Sequence, residues 1–174
     1  MNEGLLQGLT HLEIGSGDAP TPGYCHLDLD PGKPHVEIHA DASSIPLHDG
    51  AVERILSIHL LEHFHQFDVI RVLCEWWRIL TPGGEIEIHV PDFAVVSRAF
   101  LDEVDVSKKQ LVSHTILGLH EHKSIFDEAL LRTCMEAVGF VDVHRIAGED
   151  RHDIGWAHLI AEPWSMKLAG RKPV

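Results

Sequence analysis

A chain of 174 residues with 44% hydrophobic and 24% charged side chains has the size and balance of one globular domain with its own core. Its 27 acidic against 14 basic residues leave a formal charge of −13, which repels the phosphates that nucleic-acid binders neutralise with Lys and Arg, so no nucleic-acid partner is expected. No run approaches the roughly eighteen apolar residues of a spanning helix, and Met1-Asn2-Glu3-Gly4 lacks the basic start of a leader, so a soluble, cytoplasmic protein without membrane insertion is expected.

In chain order, Leu5, Leu6 and Leu9 form a short apolar stripe suited to covering part of a sheet. The pattern then alternates short apolar runs with helical periods, the mark of α/β layers. Strands are predicted at His11–Ile14, broken by Gly15-Ser16-Gly17, at Tyr24–Leu29, stopped by Asp30-Pro31-Gly32, at Val36–His39 and at Val52–Ile58. Val69, Val72, Leu73, Trp76 and Leu80 recur at three- and four-residue steps and predict a helix, with Asp68 as its cap and Thr81-Pro82-Gly83-Gly84 as its stop. A fifth strand follows at Glu85–Val90, then a segment from Phe93 to Leu119 that is helical in parts and placed over the sheet's carboxyl edge. A second clear helix follows Ser124, which forms an S-x-x-D capping pattern with Asp127, and stops at Gly139. Late strands are predicted at Val141–Ile146 and His158–Glu162. Cys25, Cys74 and Cys134 are too few and too scattered for a disulfide framework and read as buried thiols.

The chemistry is expected beyond the carboxyl ends of the strands, where open α/β sheets bind ligands. Gly15 and Gly17 let the chain turn and let a ligand approach the backbone. Asp28, at the tip of the second strand, has the position of a carboxylate that accepts both hydroxyls of a ribose. Asp41, after the third strand, can accept from an adenine amino group. A nicotinamide dehydrogenase is disfavoured, because Ala19-Pro20 stand where the third glycine and helix of G-x-G-x-x-G belong.

Leu12-Glu13-Ile14-Gly15-Ser16-Gly17, Leu27-Asp28-Leu29-Asp30-Pro31 and Ala40-Asp41-Ala42-Ser43-Ser44-Ile45-Pro46-Leu47 resemble the first three cofactor motifs of class I S-adenosylmethionine-dependent methyltransferases. His59-Leu60-Leu61-Glu62-His63-Phe64 and Arg78-Ile79-Leu80-Thr81-Pro82-Gly83-Gly84 resemble segments of the type 11 branch, as do Val90-Pro91-Asp92 and Ala137-Val138-Gly139-Phe140. The resemblance runs from Leu12 to about Ile160. It implies a Rossmann-like, doubly wound, mostly parallel seven-stranded sheet and one S-adenosylmethionine-binding domain over residues 1–174. It also implies cofactor contacts from Glu13, Gly15, Ser16, Gly17, Asp28, Leu29, Asp41, Ala42 and His59, and catalytic candidates His63, His59, Glu62 and Asp92. The product of the cofactor is then S-adenosylhomocysteine. One departure stands out. Only Asp18 to Tyr24 join the first two strands, and Pro20 and Pro22 forbid the helix the family places there. A truncated first crossover is therefore expected.

The implied reaction is methyl transfer to an O or N nucleophile of a small molecule, with a saccharide or other polar metabolite suggested by analogy. The alternative is a module that binds the adenosyl cofactor or a partner without turnover, which the short first crossover and the small size both allow. His63 has the chemistry of a base for an acceptor that loses a proton. His59-Leu60-Leu61-Glu62-His63 also resembles a Glu-x-x-Glu-His segment that binds a divalent ion in some RNA and quinone O-methyltransferases, with His59 in place of the first Glu; with His120 or His122 added, the resemblance implies the ligand types of a zinc or manganese site, and no metal is assigned to it. Phe93 to Lys123 is the expected acceptor-side lid.

Overall fold

Residues 10–117, 122–148 and 164–174 are described by a computed structural model. The elements in chain order are strands β1 (His11–Ile14), β2 (Cys25–Asp28), β3 (Ile38–His39) and β4 (Val52–Ile58), helix α1 (Val69–Ile79) and strand β5 (Leu80–Pro91). Helices α2 (Phe93–Asp102), α3 (Val106–Leu117) and α4 (Glu128–Val138) follow, then strands β6 (Val141–Arg145) and β7 (Ser165–Arg171). Seven strands form one sheet in the order β3-β2-β1-β4-β5-β7-β6. β1 to β5 run parallel, and β7 is antiparallel to both its neighbours. The order reverses between β1 and β4, the kind of switch point beside which open α/β sheets bind ligands.

One face of the sheet makes the core. Leu12, Ile14, Ile55, Ile86, Ile88, Met166 and Leu168 pack with Val69, Val72, Leu73, Trp76 and Ile79 of α1 and with Leu131 and Met135 of α4. Strand alternation turns His11, Glu13, Arg54, Glu85, Glu87, His89 and Lys167 to the opposite face. There Arg54 pairs with Glu85 across the strands, and the His89 ring meets Glu87 Oε1 at 2.6 Å. Parallel sheets usually carry crossover helices on both faces. Among the described residues, the connections between β1 and β2, β2 and β3, and β3 and β4 contain no helix, and the polar alternation suits that lighter cover.

The truncated first crossover is seen directly. β1 and β2 pair in parallel, and the loop between them is pinned by strand residues instead of by a helix. Glu13 accepts from the Thr21 backbone N–H at 2.6 Å and from its hydroxyl at 2.9 Å. The His26 ring bonds the Thr21 carbonyl at 3.0 Å, while the Gly15 and Ser16 N–H groups donate to the Leu27 carbonyl.

Several local expectations change. Asp68 does not cap α1 through its side chain: its own backbone is already helical, and its carboxylate faces Arg71. Ser124 does not cap α4. Asp127 does, accepting from the Leu130 N–H at 2.8 Å, while the Ser124 N–H is spent on the Glu62 carbonyl. Leu80 leaves α1 and opens β5, which begins well before Glu85. The turn within β5 needs Gly84, since a Cβ there would stand 2.4 Å from Leu80 Cδ2 and 2.9 Å from the Glu53 carbonyl. Cys74 is exposed, and Cys25 and Cys134 are half-buried, with burial pushing the Cys25 thiol up to about 11. The strand expected at His158–Glu162, the Leu5-Leu6-Leu9 stripe and His120 lie outside the described residues. β7 lies later, at Ser165–Arg171, where its register with β5 brings Met166 and Leu168 into the core. Among the described residues no helix is long and apolar enough to cross a membrane.

Candidate active site

Beyond the ends of β1 and β2 lies a cleft of about 240 Å³ lined by Gly15, Leu27, Asp28, Leu29, Ala40, Asp41, Ala42, Leu60, His63 and Phe64. Six of the sequence candidates (Gly15, Asp28, Leu29, Asp41, Ala42 and His63) thus meet in one space. Asp28 uses one oxygen to accept from the Gly17 N–H at 3.0 Å and the other from the Asp30 N–H at 2.9 Å. A carboxylate has about four acceptor positions, so capacity remains for a pair of hydroxyls. Asp41 accepts from the Ser43 N–H at 2.7 Å, and that bond holds its carboxyl below the usual range. Leu29 is 69% exposed at the rim, an apolar contact left open for a flat ligand.

Gly15 sits at φ +74°, and a Cβ there would stand 2.8 Å from Leu60 Cδ2. The next residue, Ser16, is buried, and its hydroxyl has no hydrogen-bond partner among the described residues. A buried hydroxyl without a partner is costly. Glu13 takes a different place from these. Its carboxylate lies fully buried and engaged by Thr21, so it holds the loop rather than lining the cleft.

Three residues of α1 that periodicity assigns to packing or to the helix surface carry the Asp41 loop. Trp76, fully buried, donates its indole N–H to the Ala42 carbonyl at 2.9 Å. Glu75 accepts from the Ile45 N–H at 2.7 Å. Arg78 donates to the carbonyls of Ile45 and Leu47 and pairs with Glu75 and Asp49. The signal for them in the sequence is the i, i+3 spacing of Glu75 and Arg78 on the exposed side of the helix.

β4 ends at Ile58, and His59 takes φ +50°, a left-handed conformation uncommon for a non-glycine residue. Leu61–His63 then form a single tight helical turn. The strand alternation that would put His59 and His63 on one side therefore does not apply. His59 turns to Glu62, with Nδ1 3.0 Å from Oε1, and stacks on Trp164 with ring centroids 4.9 Å apart. His63 faces the cofactor cleft. Glu62 is 1% exposed, and its Oε2 has no hydrogen-bond partner among the described residues. His122 comes from the lid side, with Nε2 3.9 Å from Glu62 Oε1 and its ring 5.1 Å from that of His63. Asp92 lies apart. It caps α2 by accepting from the Ala94 N–H at 3.0 Å and pairs with Arg145 at 3.0 Å, so its side chain is taken up in anchoring the helix.

Residues 24–88 match the type 11 family model described as a methyltransferase domain. The matched stretch contains Asp28, Asp41, the His59–His63 turn and all of α1. Over this stretch, a little more than a third of the chain, the sequence is similar to methyltransferase domains of the type 11 kind. No curated protein matches it by sequence. Solved structures with the same fold include a SAM-dependent methyltransferase from Archaeoglobus fulgidus, at 16% identity and TM-score 0.63, covering 96% of this chain and 88% of that one. Another is the Haemonchus contortus phosphoethanolamine N-methyltransferase 2 with S-adenosyl-L-methionine bound, at 15% identity and TM-score 0.63, covering 96% of this chain. A third, an exported-protein candidate from Bordetella parapertussis, has 17% identity and TM-score 0.61 over 98% of this chain. This chain spans 49% of the Haemonchus chain and 65% of the Bordetella one.

Proposed function

We propose that the domain binds S-adenosylmethionine in the cleft beyond β1 and β2 and transfers its methyl group to an O or N nucleophile of a small polar molecule. The observation that carries this reading is the joint presence of Asp28, Asp41, Leu29 and a close-approach glycine around one cleft on a methyltransferase fold. When bound, the cofactor supplies a methyl group on a cationic sulfur. Asp28 has acceptor positions for the ribose hydroxyls and Asp41 for the adenine amino group. Leu29, Leu60 and Phe64 offer the apolar walls. Gly15 lets the backbone come close, and the Ser16 hydroxyl offers a bond on the same side. Rate then comes chiefly from orientation and exclusion of water. His63, on the cleft wall, is the group placed to take a proton from an acceptor hydroxyl or ammonium. A saccharide or another polar metabolite is the acceptor class suggested by analogy, and the cytoplasm the expected compartment.

Isothermal calorimetry tests the reading. S-adenosylhomocysteine is expected to bind at one site and NAD to give no heat. Absence of heat with both adenosyl ligands at millimolar concentration overturns the proposal. The short β1–β2 loop favours a second reading, a cofactor-binding module without turnover. Binding that persists while a panel of hydroxyl and amine acceptors stays unmethylated selects it.

A further inference from the structure

We infer that the methyl acceptor is a primary or secondary amine, and that the Glu62 carboxylate binds its ammonium group in the crevice against the start of α2. That the amine is methylated rests on the proposed transfer; the ammonium site stands apart from it. Glu62 is 1% exposed, and its Oε2 has no hydrogen-bond partner among the described residues. A buried carboxylate oxygen left unpaired is expensive, and a cationic N–H donor removes that cost through a charge-assisted bond. The rest of the residue is held in place. Oε1 lies 3.0 Å from His59 Nδ1, and the N–H groups of Lys123 and Ser124 both donate to the Glu62 carbonyl, at 2.8 and 3.1 Å. His59 makes its contact from a left-handed backbone, and strain of that kind gathers at functional sites.

The crevice around Glu62 selects for a small cation on an apolar frame. Phe93, Val96, Ile125 and Phe126 line it, and it holds a space of about 10 Å³, close to what one water molecule occupies. An ammonium head has that size. A saccharide ring does not, and it would bring several hydroxyls that each need a partner. The other polar side chains on the wall are His122, with Nε2 3.9 Å from Glu62 Oε1, and Ser124, whose hydroxyl is turned to the Glu62 carbonyl at 3.4 Å. The two aromatic rings favour the same ligand, since a cation is attracted to an aromatic face. An ammonium must lose a proton before its nitrogen can form a bond. His63, next in the chain and facing the cofactor cleft, has a ring nitrogen within 4.8 Å of a Glu62 oxygen and takes that proton. The freed lone pair then bonds the methyl carbon while the carbon–sulfur pair leaves on sulfur, giving a methylated ammonium ion and S-adenosylhomocysteine. Glu62 thus selects the acceptor, and His63 deprotonates it.

The test is calorimetry at pH 7 with 2-phenylethylamine and 2-phenylethanol, which differ only in the head group, and with a methyl glucoside. Each is titrated into protein with and without S-adenosylhomocysteine. The amine is expected to bind at one site at least about tenfold more tightly than the alcohol, the difference a charge-assisted bond makes, and the glucoside to give no heat. With S-adenosylmethionine present, mass spectrometry should find the amine methylated and the alcohol unchanged. Glu62→Gln keeps the shape and removes the charge, so it should lose about 10- to 100-fold in amine affinity with the melting curve and S-adenosylhomocysteine affinity retained. Glu136→Gln, at an exposed carboxylate of α4, should leave amine binding unchanged, which separates the site from general attraction to a chain of charge −13. Equal affinity for amine and alcohol in the native protein overturns the site, whatever the variants do. So does a folded Glu62→Gln that keeps the preference. Amine preference without any adenosyl binding overturns the methyl-transfer reading and leaves the ammonium site standing; adenosyl binding without amine preference overturns the site alone.

Discussion

Asp28 and Gly15 meet the cleft in different ways, and substitutions should separate them. Asp28 already bonds two backbone N–H groups and keeps acceptor capacity for a ligand. A hydrogen bond to a charged group contributes roughly 1.5–3 kcal/mol, about 10- to 100-fold in affinity. Asp28→Ala is expected to lose that much affinity for S-adenosylhomocysteine, with a smaller effect on melting because the residue sits at a strand tip. Gly15→Ala brings both a left-handed backbone cost of about 1–2 kcal/mol and a contact 2.8 Å from Leu60. At this size each kcal/mol lowers the melting temperature by roughly 2–4 °C, so Gly15→Ala should lose melting temperature and affinity together. Calorimetry and melting curves on the two variants check this, and wild-type affinity in Asp28→Ala would remove that residue from the site.

At the scale of an element, α1 serves the cofactor side as much as the core. Its buried face carries Trp76 into the core and onto the Ala42 carbonyl, while Glu75 and Arg78 grip residues 45 to 49. Arg78→Ala releases several charge-assisted bonds, each worth about 1.5–3 kcal/mol when well formed and less here because Arg78 is a third exposed. Weaker S-adenosylhomocysteine binding and a lower urea midpoint are expected together, although Arg78 does not line the cleft. The same pair sets a pH dependence. The Arg78 guanidinium, with the Ile45 N–H, holds the Glu75 carboxyl below its usual range. A lowered carboxyl pKa contributes stability that is complete above the unfolded value and is lost as pH falls through the folded one. Urea midpoints should therefore hold from pH 7 to about 5 and fall below about pH 4. Glu75→Gln should be less stable at neutral pH and show a shallower acid decline; an unchanged acid profile would contradict the assignment.

For the whole molecule, the core of α1, α4 and the sheet is one continuous cluster, and the cofactor loops are tied to it. Residues 1–174 are therefore expected to unfold in a single transition, with circular dichroism and tryptophan fluorescence coinciding. A ligand at 100 times its Kd that binds the folded state alone adds about 2.7 kcal/mol, or roughly 5–10 °C at this chain length. S-adenosylhomocysteine should produce a shift of that order and NAD none. Two separated transitions would argue against a single cooperative domain.

Much of the site is legible in the amino-acid sequence because its signals are local. A glycine turn, an acidic strand tip and an Asp after the next strand are adjacent in chain to the strands they end, so pattern suffices to place Gly15, Asp28 and Asp41. The helix-forbidding Pro20 and Pro22 likewise announce the short crossover. α1 and β4 are legible from periodicity, which depends on residues three, four or two apart. Non-local partners are not legible. That Glu13 is consumed by Thr21, Asp92 by Arg145, and Ser124 by Glu62 depends on contacts formed after the chain has folded back. β7 escapes pattern for the same reason, since Ser165–Arg171 becomes a strand by pairing with β5. Residue type and spacing by themselves determined the fold class and the cofactor side of the cleft. Only the tertiary structure decided that His122, one of two alternatives the sequence offered, meets Glu62 and His63 across some sixty residues of chain, because contact between distant segments is set by packing and not by period.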